Sequence, residues 1–483
     1  MYRSRLKGRL DKDVLEYLSS INDDLLLLYY DIVGSEAHSI MLYEQGWIKR
    51  SELKKILNAL EGVKKKDIKK LSSIYEDVHE AIEAFVVKKA GVDAGGKMHT
   101  ARSRNDQVAL DIKMKGRDDI NNISMQVIVL IDTLLFKAQQ NKHSVMPMYT
   151  HLQHAQIGTF SHYLISYADT LLRDLERLNE CYIRVNKSPL GAVAIGGTSI
   201  KIDRMKVASL LGFDGIVENS IDATTSRDAL IELCFCLAMV LLNLGRIAED
   251  FVLWSSSEFN YIELADELTS SSSVMPQKKN PCPLEIMRAK VAYVVGLLFS
   301  AMAIVKGLPS GYSRDLQDTK HVLFQATAIT SNSLNIMDSV IQTLQVNKNA
   351  MIKSAEESQA ISLDVAEELV RSGMPFRETH KVVGALVLAA SGKGKSLQNL
   401  SESEISKALG KGLVSLVSKI LRDIDPKNSV QSRISTGSPN PKEQERMTKD
   451  RKQRVNRYRL TIQKRIEHLS NAFDSLERRV KSF

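Results

Sequence analysis

The sequence predicts an all-α protein. It has only 10 prolines in 483 residues; long runs place apolar residues at helical spacing, and few stretches alternate as a half-buried strand does. A chain of this length can bury a large core and divide into two or three domains. The longest apolar run, residues 229–244, is broken by Glu232 and Asn243 and falls short of the roughly 18 to 20 residues of a bilayer span. It is expected to be a core helix of a large bundle, with no membrane segment.

Nothing apolar follows the charges of the opening MYRSRLKGRL, so no signal peptide is expected. Cys181, Cys234, Cys236 and Cys282 show neither CxxC pairing nor metal-ligand spacing. Reduced thiols, no bound metal and a cytoplasmic protein are the expectation. The net charge of +9 would suggest nucleic acid, but residues 441–483 hold thirteen Lys/Arg against six Asp/Glu, seven of those nine charges. The remaining 440 residues are nearly neutral, and no nucleic-acid partner is expected.

Taken in order, residues 1–107 alternate helical segments with short breaks. Ser20, ahead of Asn22-Asp23-Asp24, has the chemistry of a helix cap. In HTARSRNDQ (99–107), Ser103 and Asp106 have the spacing of a capping box. That sets Arg104 and Asn105 in the first turn of a long helix, where free N–H groups, the helix dipole and a guanidinium fork all attract a carboxylate. Capping explains Ser103 and Asp106; it does not call for two arginines and an asparagine. Thr150 and Gln153 repeat the spacing, which predicts a helix with His151 at its first position, an imidazole kept neutral by the dipole.

SPLGAVAIGGT (188–198) is a glycine-rich apolar loop without the lysine and strand–helix context of a phosphate loop. Arg246 to Phe259 reads as a continuing helix. It leads to TSSSSVMPQKKNP (269–281), where four hydroxylated residues compete with their own backbone and predict a mobile loop. Asn280-Pro281 then starts a helix, so the loop delivers Ser, Lys and Asn to a helix's positive end. Glu285 sits in the first turn of that helix, where a carboxylate is favoured. Gln317 and Lys320, three apart, share a face near a helix N-terminus, which in isolation would read as a solvated polar face. Residues 369–387 form two helices about Gly373-Met374-Pro375; a DNA-binding helix-turn-helix is the rival reading. In the tail, Val455, Tyr458, Ile462, Ile466, Leu469, Phe473, Leu476 and Val480 recur every three or four residues. They predict one apolar stripe on a helix that docks on its own or a neighbouring subunit.

Several of these strings resemble argininosuccinate lyases of the fumarase/aspartase superfamily. SSxMPxKxN, from Ser272, is similar to the superfamily's signature loop. HTARSRNDQ, THLQHAQ, NSIDATTSRD and the Tyr312–Lys320 stretch resemble that family's own motifs. The resemblance spans about residues 15–440. Departures are Ser271 and Ala101 for glycine, Cys282 for aspartate, His154 for arginine and Ile157 for proline.

The resemblance implies an all-α homotetramer of three-domain subunits whose long helices form a shared bundle, with active sites drawn from different subunits. The domains would be residues 1–107, 108–360 with the serine loop, and 361–440, followed by the tail at 441–483. The implied reaction is reversible β-elimination of argininosuccinate to arginine and fumarate without a cofactor. Ser272 would take the Cβ proton, with Lys278 favouring its alkoxide; His151, oriented by Glu285, is the other acid/base, and which group serves the leaving guanidinium stays open. Lys278, Asn280 and helix dipoles would stabilise the aci-carboxylate. Ser20, Arg104, Asn105, Thr150, Asn280, Tyr312, Gln317 and Lys320 would bind substrate. Adenylosuccinate lyase or another superfamily elimination is the near alternative, and a non-enzymatic scaffold on the same fold the far one.

Overall fold

In the computed structural model, residues 11–64 and 75–483 are described; the opening segment with no signal-peptide pattern lies outside them. Helix takes 71% of the described residues and strand 5%, so the protein is all-α. The principal helices are α1 (Leu28–Glu44), α2 (Arg50–Lys64), α3 (Val78–Ala90), α4 (Arg104–Gln140), α5 (Phe160–Val185), α6 (Asp228–Trp254), α7 (Cys282–Val305) and α8 (Thr319–Thr343). After them come α9 (Lys348–Glu357), α10 (Ser362–Arg371), α11 (Phe376–Ser391), α12 (Glu402–Leu409), α13 (Val414–Asp423) and α14 (Pro441–Lys481). Among the described residues three two-stranded antiparallel ribbons interrupt them: β1 (Val145–Thr150) with β2 (Gln153–Thr159), Ile262–Glu263 with Gln345–Val346, and β3 (Ser270–Ser271) with β4 (Lys279–Asn280).

Buried side chains fall into three clusters. The largest is the bundle of α4 to α8, where Val127, Ile131 and Leu134 of α4 meet Leu164 and Leu171 of α5, Leu237 and Leu244 of α6 and Leu334 of α8. A second joins α1, α2 and α3 through Ile40, Ile56, Leu60 and Ile82. The third joins α10, α11 and α13 through Leu369, Leu386 and Val417, and takes Val145 and Ile157 from the β1–β2 hairpin. Gly373, at φ +98°, makes the turn between α10 and α11.

Several expectations need correction. Thr150 to Gln153 does not open a helix. Thr150 pairs with Gln153 across a hairpin whose two-residue turn is His151-Leu152, and helix α5 begins only at Phe160, capped by Thr159 Oγ1. The spacing of a capping box was present, but residues 145–147 and 157–159, at the far end of the hairpin from its tip, are buried together, and that long-range packing decides for strand. The length of one apolar run was also too narrow a ground for expecting no membrane segment: by length and composition alone α4, α6 and α7 could each cross a bilayer, because a helix continues through the isolated polar residues that break an apolar run. In α4 and α6 most of that apolar window is buried, against 11% in α7. Met287, Val294 and Ala301, seven residues apart, give α7 one narrow buried stripe. Beside it Ile286, Tyr293 and Phe299 are 58%, 64% and 65% exposed.

Helix α6 ends at Trp254 rather than running to Phe259. The tail is the 41-residue helix α14. Val455 and Ile462 join the bundle core, Leu476 and Val480 join the α1–α3 core, and Leu469 is buried between them. Ile466 is 40% exposed and falls off the stripe. The stripe's basic neighbours are not a solvated fringe: Arg451 grips Asp169 with two bonds of 2.8 and 3.0 Å, and Arg465 lies 4.1 Å over the Tyr182 ring. Helix α14 therefore splints two cores. Leu469→Ala should cost ~2 to 4 kcal/mol, measured as a fall in the urea midpoint; an unchanged midpoint would show that the helix merely rests on the surface.

Candidate active site

The site begins where α4 begins. Ser103 and Asp106 form the expected capping box, which frees the first turn to present Arg104 and Asn105. Arg104 is ion-paired to Asp77, itself the N-cap of α3, so the guanidinium bridges two helix starts. Burial works against the charge of Asp77, but His79 and Arg104 outweigh it and hold the carboxyl well below its usual range. The Asn105 amide donates to Ala194 O at 2.9 Å, bringing the glycine-rich loop against the same turn.

A second group of predicted residues converges beside it. Lys320, buried, lies 2.5 Å from Asp24 and donates to Ser20 Oγ at 2.9 Å, and Ser20 donates to Asp24 at 2.7 Å. Ser20 caps no helix with its side chain; its hydroxyl serves this triad. Gln317 ends a 3₁₀ turn, Arg314–Gln317, and donates to Tyr312 Oη at 2.6 Å. Gln317 and Lys320 are therefore both buried and not a solvated helix face. Beneath the turn, buried Arg227 donates to Leu316 O at 3.2 Å and Ser226 O at 2.9 Å. Burial lowers its pKa to about 10. Above it Arg314 reaches Glu76 and Leu18 O.

Under both groups lies a buried charge network that sequence reasoning missed. His79 Nε2 is 2.9 Å from Asp111 and its Nδ1 is 3.6 Å from Asp77, while Gln107 donates to Asp31. Burial opposes the charge on His79, yet Asp31, Asp111 and Asp77 outweigh it and raise its pKa to about 10. Ligand atoms of Asp31, His79 and Asp111 lie within 4.8 Å of one another. Arg102 and Arg104, which act electrostatically on Asp111 and on Asp31's neighbourhood, make a divalent cation there costly, and the arrangement reads as ion pairing. A sequence signal existed: Asp111 interrupts the apolar Val108, Leu110 and Ile112, and an acid on a core face needs a buried partner.

Among the described residues, no hydrogen bond or ion pair joins the remaining predicted residues to either group. Thr150 and His151 are exposed at the tip of the β1–β2 hairpin, with His151 and Leu152 both at φ +56°. The serine loop is itself a hairpin, framed by Ser270 opposite Asn280 and Ser271 opposite Lys279. At its base Ser272 Oγ accepts the N–H groups of Val274 and Met275 at 3.2 and 3.0 Å. Lys278 and Glu285 are exposed, and Asn280 is half-buried. Among the described residues no hydrogen bond joins Glu285 to His151, so one chain does not supply the orienting pair that the resemblance implied.

A family model described as Lyase matches residues 5–296, and one described as Argininosuccinate lyase C-terminal matches residues 360–431. A protein named argininosuccinate lyase from Nitrosopumilus maritimus (strain SCM1) is 48% identical over 482 residues, covering 99% of each chain. Another of that name, from Methanococcoides burtonii, is 39% identical over 478 residues, 98% of this chain and 97% of that one. Among solved structures, an EDDS lyase in complex with formate superimposes with a TM-score of 0.86 at 29% identity, covering 97% of this chain and 94% of that one. A fumarate lyase from Mesorhizobium sp. BNC1, at 19% identity and a TM-score of 0.73 over 92% and 99% of the two chains, shares the fold.

The Lys320–Asp24 pair gives a direct test of the local electrostatics. Lys320→Met leaves Asp24 buried without its cation and should destabilise the protein by ~3 to 5 kcal/mol, read from urea unfolding. Adding Asp24→Asn should return most of that loss. A single variant as stable as the wild type would show that the pair does not hold the two segments together.

Proposed function

This chain belongs to the argininosuccinate lyase family of the fumarase/aspartase superfamily, a carbon–nitrogen lyase family, and we propose how its residues divide the work of splitting argininosuccinate into arginine and fumarate. Ser272 takes the Cβ proton. The observation that carries this reading is the pair of main-chain N–H groups directed at Ser272 Oγ: they stabilise the alkoxide that must form, its own proton lost to solvent, before it can take the Cβ proton, as an oxyanion hole stabilises an anion. Lys278, on the same hairpin, adds a positive charge when the exposed loop closes over substrate and excludes water. Elimination then moves the Cβ electron pair into the new double bond as the C–N bond breaks. Lys278 and Asn280 steady the aci-carboxylate formed on the way. His151 is the second acid/base, with Glu285 to orient it.

Arg104, Asn105, Tyr312, Gln317, Lys320 and Ser20 hold the substrate, with Thr150 joining from the hairpin tip. Helix N-termini and cations suit a ligand with several carboxylates. Because no hydrogen bond or ion pair among the described residues joins the hairpin tip or the serine loop to this cluster in one chain, the site is assembled from several copies, and the tetramer forms through the uncovered face of α7. A strand of exposed aromatic and aliphatic side chains on an otherwise packed bundle is what such an interface requires. The enzyme works in the cytoplasm in arginine biosynthesis, in keeping with four free thiols; a thiol titration of freshly isolated protein that finds fewer than four would count against that placement.

Ser272→Ala should nearly abolish fumarate release, followed by absorbance, while substrate binding stays within about tenfold, a difference of ~1.4 kcal/mol. Turnover like that of the wild type would move the proton transfer to His151 or Ser273. Phe299→Asp should convert the tetramer to smaller species in sedimentation and abolish activity; an intact tetramer would place the interface elsewhere, and association with lipid vesicles by the wild type would assign the α7 face to a membrane.

A further inference from the structure

The glycine-rich loop 188–198 has no part in the division of roles given above, although its sequence stands out. Its stem is held from two sides by groups of opposite charge. Arg204 donates to the carbonyls of Leu190 at 3.0 Å and Pro189 at 3.2 Å, and to Val217 O at 2.7 Å. From the other side comes Asp106, fully buried. One of its oxygens closes the capping box by accepting Ser103 N–H at 2.9 Å. The other accepts Gly191 N–H at 2.9 Å and Val193 N–H at 2.8 Å, 85 and 87 residues further along the chain. Capping a helix needs only the first oxygen, and serine or asparagine would serve; a buried carboxylate with three N–H donors has a second task.

That task is visible in the loop's shape. Val193 is held at φ +58°, a left-handed conformation that a β-branched residue adopts only when its surroundings enforce it. The strain turns the tip so that Ala194 O meets Asn105 at 2.9 Å and Ile195 lies over Gly311. A Cβ on Gly311 would sit 3.2 Å from Ile195 Cδ1, and Gly311 is itself at φ +109°. Gly311 immediately precedes Tyr312. The tip, residues 194–196, is exposed, between the first turn of α4 and the turn bearing Tyr312, Gln317 and Lys320.

We infer that Asp106 is a positioning residue for the lyase reaction: its carboxylate clasps the loop 188–198 so that residues 193–195 form a wall of the argininosuccinate site between Asn105 and Tyr312. The inference rests on the substrate-binding roles proposed for Asn105, Tyr312, Gln317 and Lys320. Burial pushes the Asp106 carboxyl up to about 6, opposed by its three N–H donors, so the clasp is ionised at neutral pH. The wall contacts substrate in ground and transition states alike, so losing it raises KM more than it lowers kcat.

The test is Asp106→Asn, which turns an NH2 group toward the Gly191 and Val193 amides while keeping size and one acceptor oxygen. In the tetrameric full-length enzyme, KM for argininosuccinate should rise at least tenfold and kcat should stay within threefold. Amide exchange in residues 189–198 should speed up at least tenfold, a joint change that loss of a helix cap alone would not give. A folded variant with KM within twofold of wild type overturns the role. Should Asp106→Asn fail to fold, Ile195→Gly leaves the clasp intact and removes the tip side chain; KM should then rise at least threefold, and an unchanged KM overturns the wall. The wild type assayed alongside separates the two readings: without fumarate from it the activity assignment fails, whereas normal wild-type turnover with unchanged variants removes only the role of Asp106.

Discussion

Where α4 starts governs the rest of the molecule. This one helix runs 37 residues from Arg104 to Gln140; its body supplies the middle of the bundle core and its first turn supplies the anion-attracting end of the site. A slip of one residue at the start would rotate every later side chain by ~100° about the axis and carry Val127, Ile131 and Leu134 away from their partners in α5 and α6. The start is fixed by the reciprocal bonds of Ser103 and Asp106 and by the ion pair of Arg104 with Asp77. Core packing and site geometry therefore share one restraint, which is why a capping carboxylate that costs desolvation is worth keeping fully buried.

The parts of this arrangement that could be read from the chain are those determined by neighbours in sequence. Ser103, Asp106 and the two residues between them are such a case, as is the start of α7 after Pro281 and most of the heptad-spaced stripe in α14. The parts that could not are settled by contacts far along the chain. Nothing near Ser20 announces that Lys320, 300 residues away, will close the triad with Asp24, and nothing near Asp106 announces Gly191. His151 shows the same limit in reverse: Thr150 and Gln153 satisfied a local rule for a helix, but Val145 and Ile157 are needed in the core of the C-terminal cluster, and that demand imposes a strand. The roles implied for Ser272, His151 and Glu285 came from resemblance, since their spacing alone allows a dozen loops that do no chemistry.

Buried charge gives the site its stiffness. Arg104, His79, Asp77, Asp111 and Asp31 form one continuous set beneath the first turn of α4, and Lys320 with Asp24 forms another. Each cation faces at least one carboxylate, so no member can leave without stranding another, and truncating one partner costs several times the net worth of the pair. Such sets contribute little to stability relative to an apolar core. What they contribute is a single geometry, which elimination needs because the proton, the carboxylate and the leaving group must align together.

Backbone strain falls in the same places. Among the described residues, glycine excluded, φ is positive at Ala101, His151, Leu152, Val193 and Asn260. Asparagine tolerates that region, so the four others carry a cost of ~1 to 3 kcal/mol each. Three of the four lie in strings that the sequence marked as chemical, Ala101 two residues before the α4 cap and His151 and Leu152 at the hairpin tip; the fourth, Val193, lies in the glycine-rich loop. Ala101 is instructive, because it stands where the family has glycine, and at φ +54° a glycine would adopt the turn without strain. The conformation is held here although glycine is better suited to it. It aims Arg102 inward to Ser35 at 2.8 Å and lets Ser103 open the helix.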